Sequence, residues 1–255
     1  MKFILFCTVS AFAALFYLAP LRGTQESVVE PIMFENSGEG FAVVELFTSQ
    51  GCSSCPPADR HLQEIVAQGD SNVYVLSFHV DYWNYLGWKD PYSSADYSER
   101  QRTYAQKLRS RQVYTPQMII NGRDAFVGSD RSQASIALKE VLSTPTEQKL
   151  QVGWYPGRQI LHYEVDGLDR SAQLRIALVS KTTENSVPRG ENRGRSLKHV
   201  QVVRQYKSIM LSKSGFGDVD FVIPKDLERE QLEIIVYLQD QASWRVLAGG
   251  KIEAV

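Results

Sequence analysis

The pattern of hydrophobic and polar positions predicts a strand, a helix and a second strand near the start of the globular part of the chain. A β-branched and aromatic run, Phe41–Thr48, predicts the first strand. Apolar residues at helical spacing predict a helix from about Ser53 to Ala67, and Asn72–Val80 predicts the second strand. Two strands joined through a helix at this spacing form a βαβ unit, so we expect them to be parallel with a right-handed crossover.

The next elements are a polar helix, a hairpin and a third helix. The polar helix fits Ser93–Arg111, which carries its apolar residues on one side. Two short apolar runs, Gln117–Ile120 and Asp124–Val127, are joined through Asn-Gly, which is a strong hairpin signal. A last helix is predicted from about Ser132 to Leu142. The predicted order is therefore β-α-β-α-β-β-α.

The sequence changes character after Thr144–Thr146, which we interpret as a domain boundary. Beyond it, short strand-like runs separated by Gly and Pro turns replace the helices, and they predict a small all-β, sandwich-like domain over residues 147–255. The predicted strands are Lys149–Trp154, Gln159–Val165, Gln173–Ser180, His199–Leu211, Val219–Ile223, Leu232–Gln239 and Trp244–Ile252.

The N-terminus predicts export. An apolar run extends to about Leu21 with Lys2 as its one charged residue, which is typical of a secretory signal. The run is also nearly long enough to span a bilayer. Residues 1–24 are therefore interpreted as a cleaved signal peptide or as an uncleaved anchor in the inner membrane, and the protein is predicted to be periplasmic or secreted.

The number and spacing of the cysteines indicate a chemical rather than a structural role. The chain has 3 cysteines, and Cys7 lies in the predicted signal, so a processed chain keeps Cys52 and Cys55 in a C-x-x-C motif. A disulfide across two residues closes too short a loop to stabilise the fold much. At the exposed start of a helix, free N–H groups would lower the pKa of Cys52, making it the nucleophile, and Cys55 would resolve the mixed disulfide. A metal site and an inert disulfide remain the alternatives.

Composition and charge exclude little but are informative about partners. With 43% hydrophobic and 22% charged residues and a net charge of -1, the chain is of ordinary globular type. A nucleic-acid-binding protein usually shows a basic excess, so no nucleic-acid partner is expected. Glycine-rich phosphate-binding motifs are absent from the sequence, so the expected redox group is the disulfide itself, without another cofactor.

Three further residues lie at the end of the second predicted strand or just after it. His79 and Asp81 are two residues apart, so their side chains share one face, and each is a candidate proton carrier for Cys55. Alternatively, His79 completes a copper or zinc ligand set with both cysteines, or simply packs in the core. Trp83 belongs to an aromatic segment, which either lines a substrate site or packs against the β-rich part.

A charged, glycine-rich stretch lies between two predicted strands of the C-terminal part. We hypothesise that its residues Arg189, Glu191 and Asn192 fold over the cysteine pair and shape the substrate site. The alternative is an ordinary solvated loop.

The order of elements and the C-x-x-C motif resemble the thioredoxin fold. Thr115 and Pro116 stand where thioredoxin-like proteins carry a cis-proline facing the cysteine pair, and the resemblance implies that they form an edge on which an extended substrate docks. The sequence departs from ordinary thioredoxins at the motif itself. Gly51 stands where thioredoxins have Trp, and Ser53-Ser54 replaces their Gly-Pro, so the direction of electron flow stays open.

The chain further resembles the bacterial exported family DUF1223, of uncharacterised function. The matching stretches are Val44–Asp59, Phe78–Trp83, Gly87–Pro91, Tyr114–Gln117, Arg189–Asn192 and Gly194–Arg195. The resemblance implies a thioredoxin-like domain over residues 40–144 followed by the β-rich domain, and it supplies no activity.

The sequence therefore predicts an exported thiol–disulfide oxidoreductase of α/β fold. Its partner would be a protein or small-molecule thiol or disulfide, and it would meet a membrane only through the N-terminal segment. A copper or zinc delivery protein using Cys52, Cys55 and His79 is the first alternative. A non-catalytic interaction module is the second.

Overall fold

The computed structural model of the chain describes residues 30–110, 112–166, 171–212 and 214–254. The predicted signal or anchor, residues 1–24, lies outside the described residues, as does Arg111 at the end of a predicted helix. In the described part, none of the helices is both long and apolar enough to cross a membrane.

The chain forms mixed sheets with few helices, and the elements of residues 40–144 follow the predicted order. The helices are α1 (Pro56–Ala67), α2 (Ala95–Lys107) and α3 (Arg131–Leu142). The first strands are β1 (Ile32–Glu35), β2 (Ala42–Thr48), β3 (Val73–His79), β4 (Gln117–Ile120) and β5 (Asp124–Val127). The others are β6 (Lys149–Tyr155), β7 (Ile160–Asp166), β8 (Ala172–Ser186), β9 (Ser196–Met210), β10 (Phe216–Asp220), β11 (Leu232–Asp240) and β12 (Val246–Glu253).

One eight-stranded sheet contains strands from both predicted parts, in the order β12-β11-β8-β9-β3-β2-β4-β5. As predicted, β2 and β3 are parallel, and β4 and β5 form a hairpin whose first strand pairs antiparallel with β2. The two parts meet where β9 runs parallel to β3, with Ser77 opposite Val202. This differs from the prediction of a separate all-β sandwich, because β8 and β9 are long enough to continue the sheet and cover the edge of β3.

A second sheet of four strands, in the order β1-β6-β7-β10, packs on the large sheet. Buried residues of both sheets, including Trp154, Leu161, Ile176 and Ile234, form one hydrophobic cluster between them. The sandwich-like packing is therefore present, but its larger layer is shared with the N-terminal part. Strand β1, at the edge of this sheet, pairs antiparallel with β6.

The centre of the large sheet is covered on both faces. All seven residues of β2 are buried, as expected for a strand between two layers. Apolar side chains of α1 and α3 cover one face, and α2 covers the other with its tyrosines. The strand also carries Glu45, whose carboxylate pairs with the buried Arg100 of α2. Strand β2 thus fixes the position of the segment that follows it, residues 49–55.

Candidate functional site

Cys52 and Cys55 form a disulfide between the end of β2 and the start of α1. Pro56 and Pro57 occupy the first turn of the helix, where a missing N–H costs little. The predicted placement at a helix start is therefore observed. The predicted exposure is not, because both cysteines have 0% of their surface exposed.

The Ser54 hydroxyl joins the cysteine pair to the predicted docking edge. Its Oγ lies 3.3 Å from Cys52 Sγ and donates to the Thr115 carbonyl at 3.4 Å. The Thr115–Pro116 peptide bond is cis. The Trp83 indole N–H donates to Thr115 Oγ1 at 2.8 Å, so Trp83, Thr115 and Pro116 all belong to the surroundings of the disulfide.

The tip of the β8–β9 hairpin, residues 187–195, lies over the cysteine segment, and we refer to it as the cover. Asn192 is fully buried, and its Nδ2 donates to the carbonyls of Gln50 at 3.0 Å and Cys52 at 2.8 Å. Glu191 accepts the Ser53 backbone N–H at 2.9 Å. Hydrogen bonds from the side chain and backbone of Ser53 lower the pKa of the Glu191 carboxyl.

Two glycines shape the cover. Gly190 and Gly194 have φ values of 80° and 79°, a left-handed conformation that favours glycine. Arg189 is exposed and lies beside Gly87 of the aromatic segment rather than at the sulfurs. Of the three predicted residues in this stretch, Glu191 and Asn192 therefore contact the cysteine segment directly.

His79 and Asp81 have partners other than the cysteines. The fully buried His79 places Nδ1 2.7 Å from Asp90 Oδ2, and half-buried Asp81 accepts a hydrogen bond from Ser98 Oγ at 2.5 Å. Among the described residues, no three His, Cys, Asp or Glu side chains are grouped so that they could hold a metal ion. The alternative ligand set of Cys52, Cys55 and His79 is thus not assembled.

Sequence reasoning missed a buried polar network behind the disulfide. Asp59 of α1 accepts from Thr48 Oγ1 at 2.9 Å and lies 3.5 Å from His199 Nδ1. The His199 and His79 rings are in edge contact, with their centroids 4.7 Å apart. Asp59 could have been found from its position four residues after Cys55, which puts both on one helix face. The part played by His199 depends on strand pairing, which no local pattern reveals.

Gln50, immediately before Gly51-Cys52, is the centre of this network. Its backbone N–H donates to Asp90 Oδ2 at 2.8 Å, and its carbonyl accepts from Asn192. Its side-chain amide contacts Trp88, Asn185 and His199. Gln50 therefore connects the cysteine segment, the aromatic segment and the cover.

The charges of the network shift two pKa values. Burial alone would raise the pKa of the Asp90 carboxyl, but the His79 imidazole and the N–H groups of Gln50 and Tyr92 outweigh it and lower that pKa. Burial disfavours a charged His199, but the Asp59 carboxylate, helped by Asp90, raises the pKa of His199 above its ordinary value. Positive charge on the buried histidine is thus favoured by its two acidic neighbours.

The fold and site together define a mixed α/β protein with a buried C-x-x-C disulfide at a helix start. The profile of DUF1223, described as a protein family of unknown function, matches residues 43–239, and the chain belongs to this family. This confirms the resemblance drawn from the sequence motifs. No curated protein matches the chain.

Two solved structures are similar to the chain. One is the crystal structure of protein AGR_C_4864 from Agrobacterium tumefaciens, with 27% identity and a TM-score of 0.68, covering 85% of this chain and 96% of that one. The other is HBP35 of Porphyromonas gingivalis, with 12% identity and a TM-score of 0.58, covering 84% of this chain and 75% of that one. The second likeness concerns the fold alone.

Proposed function

We propose that the protein is a thiol–disulfide oxidoreductase that acts through Cys52 and Cys55. The carrying observation is that its disulfide closes a very short loop at a helix start, with the Ser54 hydroxyl 3.3 Å from Cys52 Sγ. Such a bridge contributes little to stability, whereas the helix start and the hydroxyl both favour a thiolate on Cys52.

The proposed reaction is thiol–disulfide exchange. In the reducing direction, the Cys52 thiolate attacks a substrate disulfide, forms a mixed disulfide and expels one substrate thiolate. The Cys55 thiol loses its proton and attacks Cys52 Sγ, which releases the second substrate thiol and leaves the Cys52–Cys55 disulfide. The reverse sequence oxidises a substrate dithiol and reduces the pair. In both directions two electrons pass between the cysteine pair and the substrate, so no further cofactor is needed.

Asp59 is the better-placed proton acceptor for Cys55. The two residues are one helical turn apart on the buried face of α1, and the Asp59 N–H donates to the Cys55 carbonyl at 3.0 Å. His79 and Asp81 are engaged with Asp90 and Ser98 instead. We therefore assign this role to Asp59 in place of the two residues predicted from the sequence.

The proposal includes a thioredoxin-like unit over residues 40–144, a β-rich part over residues 147–255, and export through residues 1–24. The parallel β2–α1–β3 unit, the β4–β5 hairpin and α3 support the first. An oxidising compartment outside the cytoplasm is also where a disulfide persists. Thr115, Pro116 and Trp83 would contact the protein or small-molecule substrate.

Equilibration of the protein with thiol buffers of graded potential tests the proposal. We expect one two-electron transition of the Cys52–Cys55 pair between about −120 and about −270 mV. Alkylation of the free thiols and mass spectrometry measure the fraction of the pair that is reduced at each potential. A value near the upper end indicates an oxidant, and one near the lower end a reductant. A pair that stays oxidised in the most reducing buffer would contradict a redox role.

Replacing Ser54 by alanine should make the Cys52–Cys55 couple more reducing. The substitution removes the hydroxyl whose one hydrogen, donated to the Thr115 carbonyl in the disulfide form, can turn to the Cys52 thiolate in the reduced form, and bonds to charged groups contribute about 1.5–3 kcal/mol. Because about 1.4 kcal/mol corresponds to about 30 mV for two electrons, and the bond to the carbonyl is given up, the reduction potential should fall by at most about 60 mV. Ser54→Thr keeps a hydroxyl and serves as the control. Equal potentials for Ser54→Ala and the wild type would show that this hydroxyl does not stabilise the thiolate.

A further inference from the structure

We propose that His199 and Gln50 form a proton-sensitive latch that holds the cover, residues 187–195, over the disulfide. The inference rests on the proposed function, since it gives the cover the task of controlling access to Cys52. Both cysteines are fully buried, and the cover is hydrogen-bonded to the backbone of the segment that carries them, through Asn192 and Glu191. What holds the cover therefore controls the reaction.

The donors and acceptors around Gln50 fix the state of His199. An indole N–H can only donate, so the atom 3.0 Å from Trp88 Nε1 is Gln50 Oε1. Gln50 Nε2 then faces Asn185 Oδ1 and His199 Nε2, each at 3.3 Å. An amide NH₂ has no acceptor for a histidine N–H, so His199 Nε2 carries a lone pair. The closed arrangement thus requires a neutral ring with its proton on Nδ1.

The acidic groups around His199 favour the opposite state. Asp59 of α1 lies 3.5 Å from Nδ1, Asp90 adds negative charge from the loop after β3, and His79 touches the ring from β3 itself. The carboxylates raise the pKa of His199 although burial opposes this. The hydrogen bonds around Gln50 therefore require a neutral His199, while the nearby carboxylates favour its protonated form.

Protonation of His199 breaks the network at Trp88. A proton on Nε2 points at the Gln50 NH₂ group, and the clash is relieved when the amide turns over and presents Oε1. The Asn185 amide can turn with it, but the Trp88 N–H cannot, and it is left facing an NH₂ group. Trp88 lies under Gly190 of the cover, and the Gln50 carbonyl holds Asn192. Low pH therefore loosens the cover, and high pH closes it.

The rate at which a neutral trialkylphosphine reduces the disulfide tests the latch. The phosphine attacks sulfur without needing a thiolate, and with water it yields the phosphine oxide and two thiols. Because protonation at low pH removes the lone pair of the phosphine, each rate is divided by the rate at which the same phosphine reduces an exposed small-molecule disulfide in the same buffer, and the rates below are these relative rates. Between about pH 8 and about pH 5, we expect the relative rate to rise about fivefold through one transition, as loss of one net hydrogen bond predicts. The transition should lie above the ordinary histidine pKa.

Four variants assign the transition. His199→Gln should remove it, whereas His79→Gln should keep it. Trp88→Phe removes the fixed donor without touching the buried charges and should give the fast rate at every pH. His162→Gln is the matched control, since His162 pairs with Asp218 in the other sheet, and it should behave as the wild type. Circular dichroism at each pH confirms that every variant is folded.

The outcomes separate the two proposals. Reduction at a rate independent of pH overturns the latch and leaves the oxidoreductase proposal standing. A transition that survives in His199→Gln but disappears in His79→Gln also overturns it. If no phosphine reduces the wild type or Trp88→Phe at any pH, the redox function falls together with the latch.

Discussion

Replacing Cys52 by serine is expected to lower turnover of a disulfide substrate by at least about three orders of magnitude. Removal of a covalent nucleophile has effects of this size or larger in well-studied enzymes. A serine hydroxyl does not ionise near neutral pH, and the helix start and Ser54 hydroxyl can stabilise only a charge that forms. The rate is that of insulin reduction by dithiothreitol, measured from the turbidity of the precipitating product, after subtraction of the rate without the protein. The structure of β2 and α1 should be unaffected, because serine is close to cysteine in size.

Two further substitutions make the result specific. Cys55→Ser should also stop turnover, but it should accumulate a mixed disulfide on Cys52, because the nucleophile remains and the resolving thiol is gone. Mass spectrometry detects that adduct. Cys7→Ser, in the predicted signal, is the matched control and should leave turnover unchanged. Insulin reduction at the wild-type rate by Cys52→Ser would contradict the assigned roles, as would a mixed disulfide that accumulates on Cys55 in Cys52→Ser and not on Cys52 in Cys55→Ser.

The sequence was a good guide wherever the information is local. The helices, the parallel β2–β3 pair and the β4–β5 hairpin follow from residues close along the chain. So does the position of Cys52 and Cys55 at the start of α1, since proline and the helical spacing mark that start. The helix ends differ from prediction by a few residues, as α2 shows by ending at Lys107.

The features that depend on pairing between strands far apart in the sequence could not be predicted. The cysteine segment is bound by the cover, whose Asn192 lies 140 residues from Cys52 along the chain. The network of Asp59, Gln50 and His199 also forms only because β9 runs beside β3. For the same reason, the C-terminal strands β8, β9, β11 and β12 join the large sheet instead of forming a separate sandwich. No periodicity within one segment carries this information.

Helix α2 shows the same limit, because its sequence is polar although several of its polar side chains are buried in the structure. Its Arg100 is 5% exposed and its partner Glu45 1%. Arg100 Nε donates to Glu45 Oε2 at 2.6 Å and Nη2 to Oε1 at 2.8 Å, and Nη2 also donates to the hydroxyls of Tyr104 and Tyr237. The guanidinium lies 4.9–6.0 Å from five aromatic ring centroids: those of Phe78, Tyr104, Tyr206, Tyr237 and Trp244.

Replacing Arg100 by leucine is therefore expected to destabilise the protein by about 3–5 kcal/mol, because it leaves the Glu45 carboxylate buried without a cation. For a chain of this size, the unfolding midpoint should fall by about 6–20 °C, measured by circular dichroism or calorimetry. Arg102→Leu is the matched control. Arg102 lies two residues further on, pairs with Glu99 on the surface, and should change stability by less than about 1 kcal/mol.

A double variant separates the ion pair from the loss of packing. Arg100→Leu combined with Glu45→Leu removes both charges, so it should be more stable than Arg100→Leu alone, since no uncompensated carboxylate remains. It should stay below the wild type, because the Tyr104 hydroxyl also loses its bond to Glu45. If the double variant is no more stable than Arg100→Leu, the destabilisation comes from packing around the guanidinium and its aromatic neighbours. In that case the buried charge of Glu45 does not explain the role of Arg100.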